Sequence, residues 1–130
     1  MSAKRADKPS EAELEILRVL WGNEPCSVRF VHEELSKKKQ VGYTTTLKQM
    51  QRMFEKGLIS RIESGKVHEY TAALKETEVQ TRLFDKFLET TFKGSAMEMV
   101  MHALGRSKSS PEEIEKLRKF LDDLEKGGNS

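Results

Sequence analysis

Cysteine is almost absent: one residue, Cys26, occurs in 130. No internal disulfide can form, and no Cys/His group has the spacing of zinc ligands, so neither a disulfide framework nor a metal site is expected. Long apolar runs are missing as well. None approaches the ~20 residues of a membrane-spanning helix, and the first residues, Met1 to Lys8, contain no apolar segment of signal-peptide type. The expected location is the cytoplasm, without direct membrane binding. No Ser/His/Asp or Cys/His set and no glycine-rich phosphate loop is present, and His32, His68 and His102 stand apart from plausible partners. No enzyme, catalytic residue or cofactor is expected. A strong charge of one sign is also lacking, with 23 Lys and Arg against 21 Asp and Glu.

What is present is a helix-leaning mixture, 34% charged and 36% hydrophobic, with six Met and six Phe. Its cations lean to one side: residues 1–74 carry 13 Lys/Arg against 10 Asp/Glu, and residues 75–130 carry 10 against 11. Residues 1–9 read as a mobile basic arm. Ser10 then opens a helix, with Glu13 completing a capping box and Leu14, Ile16, Leu17, Leu20 and Trp21 on the buried side. Gly22 to Pro25 ends it, and Ser27 caps a second helix with Val28, Val31 and Leu35 inside and Arg29, His32, Glu33 and Glu34 outside. Cys26 lies near the positive end of that helix, a place that can lower a thiol pKa; the competing reading is a small packing residue.

The stretch Tyr43 to Gly57 is an amphipathic helix stopped by glycine. At about 100° per residue, Thr46, Leu47, Met50, Met53 and Phe54 take one side and Thr45, Lys48, Gln49 and Arg52 the other. Strand-like Leu58 to Ile62, a turn over Glu63 to Lys66 and a returning strand Val67 to Ala72 follow; His68 and Tyr70 share a face and are expected to pack on the helices. Three helices and a hairpin are the parts of a winged helix-turn-helix domain, placed at residues 10–74. Its third helix would read double-stranded DNA through Thr44, Thr45, Lys48, Gln49 and Arg52. Lys37, Lys38, Lys39, Tyr43, Arg61 and Lys66 would touch the DNA backbone. The alternative is the same fold docking a partner protein without specific DNA binding.

From residue 75 to 130 helix-period apolar residues recur: Leu83, Phe84 and Phe87; Met97, Val100, Met101 and Leu104; Ile114, Leu117, Leu121 and Leu124. So small a segment cannot bury that surface alone, and a symmetric dimer is the expected remedy, the other being packing on the first domain. The fold class expected is mainly α, a winged helix-turn-helix domain followed by a helical dimerisation segment.

The ordered pieces Glu13-Leu14-Glu15-Ile16-Leu17, Leu20-Trp21, Val28-Arg29, Tyr43-Thr44-Thr45-Thr46-Leu47-Lys48, Glu55-Lys56-Gly57-Leu58-Ile59, His68-Glu69-Tyr70, Phe92-Lys93-Gly94-Ser95 and Glu112-Glu113-Ile114-Glu115-Lys116-Leu117 resemble the penicillinase-repressor family of bacterial transcription factors, the BlaI, MecI and CopY type. The resemblance runs from about Ser10 to Leu124. It implies a homodimeric repressor on a palindromic operator, often partnered by a membrane sensor-protease whose signalling leads to cleavage in the dimerisation segment. Relatives cleaved in this way carry Asn-Phe where this chain has His102-Ala103, a departure at that position. The paired Cys-x-Cys of the copper-responsive branch is absent, so copper sensing is not implied.

Overall fold

A computed structural model describes residues 9–128; of the arm expected over residues 1–9, only Pro9 lies among them, and it is buried. Among the described residues six helices and one hairpin follow in order: α1 Glu11–Asn23, α2 Val28–Ser36, α3 Tyr43–Lys56, β1 Ile59–Ser64, β2 Val67–Ala72, α4 Glu76–Phe92, α5 Ala96–Arg106 and α6 Pro111–Gly128. The chain divides after Lys86 into two compact units.

In the first unit the helix starts are set by short-range hydrogen bonds. The Ser10 hydroxyl accepts from the Glu13 N–H at 3.1 Å while the Glu13 carboxylate accepts from the Ser10 N–H at 2.9 Å, a capping box. Ser27 caps α2 through the Phe30 N–H at 3.1 Å. The end of α3 is a Schellman turn: Gly57 takes φ 85°, its N–H reaches Phe54 O at 3.1 Å and the Leu58 N–H reaches Met53 O at 2.9 Å. Only glycine adopts that left-handed conformation without penalty.

Against one another α1, α2 and α3 bury Ile16, Leu17, Leu20, Val31, Met50 and Met53, each contributing on the order of 2 kcal/mol. Leu58, Ile59 and Tyr70 extend this core onto the hairpin, and Leu74 and Val79 extend it to the start of α4. Leu83, grouped by its spacing with the dimerisation residues, is partly buried against this same core. The hairpin is antiparallel, with Ile59 opposite Ala72 and Ser64 opposite Val67. Glu63 and Ser64 are therefore paired strand residues instead of turn residues, and the loop shrinks to Gly65 and Lys66, with Gly65 at φ 65°. A two-residue loop with glycine at its first position matches the twist of the two strands.

In the second unit α5 is capped by Ser95 and α6 by a second capping box between Ser110 and Glu113. The Phe92 ring meets Phe87 at 5.7 Å and His102 at 5.8 Å between centroids. Among the described residues from Phe87 onward, none is buried. Phe87, Met97, Val100, Met101, Leu104, Phe120, Leu121 and Leu124 are exposed, while Ile114 and Leu117 are half-buried.

One ion pair joins the start of α1 to the end of α3. The Lys56 ammonium lies 2.5 Å from the Glu13 carboxylate, whose side chain is only 6% exposed. Burial raises the Glu13 pKa, but the hydrogen bonds from Lys56 and the Ser10 N–H outweigh it and hold the carboxyl below its ordinary 4.5. A depressed native pKa stabilises the fold above the unfolded value, and that stability is lost as pH falls through the native one. Glu13→Ala should therefore cost about 1–3 kcal/mol in urea unfolding at neutral pH. The difference from wild type should narrow on acidification below pH 4.5; a difference that stays constant would contradict this account.

Candidate nucleic-acid interface

The face of α3 turned away from the core is polar. Thr44, Thr45, Lys48, Gln51 and Arg52 are exposed, whereas Thr46, Met50 and Met53 are buried. Gln49, expected beside Lys48 on the reading face, is half-buried on the flank of the helix. Packing against α1 and α2 rotates the buried stripe toward Thr46 and Met53, which leaves Leu47 and Phe54 at its half-buried edge. The open amide is therefore that of Gln51, which the sequence reading passed over.

At its start α3 is capped by Gly42 without a side-chain hydrogen bond, and the exposed Tyr43 stands edge-on to His32, with ring centroids 5.6 Å apart. Near its end, the Arg61 guanidinium of β1 lies 4.3 Å above the Phe54 ring. Such a stack is worth about 0.5–1 kcal/mol at an exposed site; it fixes the cation beside α3 before any ligand arrives.

Between the start of α2, one ridge of α3 and the hairpin lies a cleft of about 540 Å³. Tyr43, Leu47 and Gln51, spaced four residues apart, form its helical wall, while Arg61, Lys66 and His68 line the hairpin side and Arg29 the α2 side. His68 thus shares the helix-facing side of the strand with Tyr70, as expected, but only Tyr70 packs on the helices. Two residues nearer the tip, His68 overhangs the cleft, 44% exposed, with its Nε2 3.7 Å from the Glu63 carboxylate.

The lysine run is arranged differently. Lys37 pairs with Glu34 at 2.7 Å and Lys39 with Glu15 at 2.6 Å, and Lys38 lines a groove that also contains Glu15, Arg18 and Glu34. Exposed pairs of this kind contribute little to stability, but they place carboxylates beside two of the three lysines. No group of His, Cys, Asp and Glu able to hold a metal occurs among the described residues. No described helix is long and apolar enough to cross a membrane.

A polar helix held by two others and flanked by a hairpin with a basic cleft defines a winged helix-turn-helix DNA-binding fold. The chain belongs to the penicillinase repressor family, whose sequence model matches residues 9–123. It is 26% identical over 117 residues to the penicillinase repressor of Staphylococcus aureus, covering 90% of this chain and 93% of that one. It is 30% identical over 119 residues to the transcriptional regulator BlaI of Mycobacterium tuberculosis, covering 90% and 85%. Among solved structures it resembles the DNA binding domain of the repressor BlaI, with a TM-score of 0.50 and 29% identity over 56% of this chain and 89% of that one.

Arg29 and Gln51 are cleft residues that sequence reasoning did not assign to a site, and His68, expected to pack on the helices, is a third. The signal available for Gln51 was its position, four residues beyond Leu47 and eight beyond Tyr43; Arg29 offered no local one, because the cleft residues of α3 and the hairpin stand 14 to 41 positions from it in sequence.

Cys26 departs from the activated thiol considered above. It is buried, its Sγ–H donates to Asn23 O at 3.2 Å, and burial, with smaller contributions from Glu24, Glu69 and Glu34, pushes its pKa above the ordinary 9.0. The packing reading of this residue is the one the structure supports. Alkylation of the native chain by iodoacetamide at neutral pH should accordingly be much slower than that of the urea-unfolded chain. Equal rates would mean that the thiol is open and activated.

Proposed function

We propose that this protein is a dimeric, sequence-specific transcriptional repressor that binds a palindromic operator in double-stranded DNA. The observation that carries this reading is the exposed polar face of α3 beside a cation-lined cleft, in a chain similar to penicillinase repressors along most of its length. Thr44, Thr45, Lys48 and Arg52 enter the major groove, where hydroxyls and cations hydrogen-bond base edges and phosphates. Gln51 is the amide that reads, in preference to Gln49. Tyr43, Arg61 and Lys66 touch the backbone.

The second unit supplies the dimer. Its absence of buried described residues and its exposed stripe at Met97, Val100, Met101 and Leu104, continued in Leu121 and Leu124, support this role; of the wider set, Phe84 and Phe87 are exposed, and Ile114 and Leu117 half-buried. One recognition helix reads only a half-site, so operator affinity depends on pairing. Release then follows from loss of dimerisation or from signal-dependent proteolysis, with a sensor-protease as the indirect partner; His102-Ala103, which departs from the Asn-Phe of cleaved relatives, is not assigned as the place of cutting. The sequence-level alternative, a protein-docking winged helix, predicts no salt-dependent affinity for DNA.

Fluorescence anisotropy with the DNA upstream of the gene tests the assignment. Gln51→Ala should lose about 1–3 kcal/mol at one operator position and relax the preference there, whereas Gln49→Ala should change it less; the reverse order would reassign the reading amide. In sedimentation, Leu121→Lys combined with Leu124→Lys should shift the protein toward monomer and weaken operator binding in parallel. A monomeric variant with full operator affinity would overturn the dimer dependence.

A further inference from the structure

We infer that the cleft between α2, α3 and the hairpin is the seat of one DNA backbone strand, and that Arg29 is one of its phosphate-binding cations, in place of the Lys37–Lys39 run. The inference rests on the DNA-binding reading above and names the part of the surface that carries its electrostatic term. Arg29 approaches from α2, Arg61, Lys66 and His68 from the hairpin, and Tyr43 closes the side along α3. Three separate elements converge on one concavity, and among the described residues no carboxylate lines it, although the chain has 21. The acid next to it, Glu63, faces His68.

Helix stability does not account for Arg29. It stands in the first turn of α2, a turn that contains no acidic residue, and a cation there opposes the helix dipole. Its charge is useful to an anion in the cleft, and the phosphodiester backbone, presenting one anion per nucleotide, is the ligand that suits a row of cations along a groove. The lysine run is the natural rival by sequence, but Lys37 and Lys39 already hold Glu34 and Glu15, and the groove at Lys38 contains acids as well as bases.

Because a backbone contact is indifferent to sequence, the test needs no knowledge of the operator. The full-length protein is titrated by anisotropy against a mixed-sequence duplex of about three helical turns at several salt concentrations, and the slope of log K against log salt is compared among variants. Arg29→Gln should flatten the slope by about one unit. Arg29→Lys should restore most of it, and Lys38→Gln should leave it as in wild type. A Gln variant that melts like wild type yet keeps the full slope would overturn the proposal, as would a Lys38→Gln variant that loses as much slope as Arg29→Gln. If Arg29→Gln fails to fold, the comparison is made between Lys66→Gln and Lys38→Gln, with the same expectation that only the cleft residue changes the slope. A wild-type protein with no salt-dependent affinity would instead remove the DNA-binding reading itself, an outcome distinct from the failure of the cleft assignment.

Discussion

Two backbone hydrogen bonds between residues distant in sequence hold the candidate interface together. The Cys26 N–H donates to Tyr70 O at 2.9 Å, and the Tyr70 N–H donates to Cys26 O at 2.7 Å. Both residues are buried, so either group left unpaired would carry a desolvation cost of about 1–3 kcal/mol. The bridge covers the open edge of β2, which would otherwise expose a row of unpaired groups, and the Glu24 carboxylate extends it by accepting the Ala72 N–H at 2.7 Å. Its geometric effect reaches further. Arg29, in the first turn of α2, follows Cys26 by three residues and His68 precedes Tyr70 by two on the strand, so clamping residues 26 and 70 brings both to one cleft.

Within that frame α3 uses both of its sides. Met50, Met53 and Thr46 anchor it to the core, the Schellman turn at Gly57 sends the chain straight into β1, and the Glu13–Lys56 pair ties its end to the start of α1. A helix held along its length and at its end can present Lys48, Gln51 and Arg52 in fixed positions, and on the proposed reading that rigidity reduces the ordering cost of recognition. Arg61, stacked on Phe54, is likewise placed in advance.

The two units differ in what they bury. The first closes a core from Ile16 to Val79, whereas no described residue from Phe87 onward is buried. On the proposed reading this asymmetry links folding to assembly: the reader is complete in one chain, and the apolar stripes of α5 and α6 find cover in a second copy. Control can then act on the C-terminal helices without altering a residue of the reader.

Much of this architecture was legible because the signals are local. The Ser10/Glu13 box, the Ser27 cap, the stop at Gly57 and the Gly65 loop each depend on residues within a few positions of one another, where side-chain reach and backbone conformation suffice. Helical periodicity likewise marked which residues of α3 are apolar. It placed Thr46, Met50 and Met53 inward but could not fix the rotation of that face to within a residue, because that depends on how α3 settles against α1 and α2. A rotation of a fraction of a turn leaves Gln49 half-buried and Gln51 open. The pairing of Lys39 with Glu15, the burial that silences the Cys26 thiol and the gathering of Arg29, Arg61 and Lys66 around one cleft join residues 24 to 37 or more positions apart or depend on such joins. By itself the sequence determined the elements, their order and the presence of a polar helix in a three-helix-and-wing frame, since these follow from short-range sterics and hydrogen bonding. Only the tertiary structure decided which of its cations share a surface, because electrostatic neighbourhood depends on distance in space, and packing alone sets that distance.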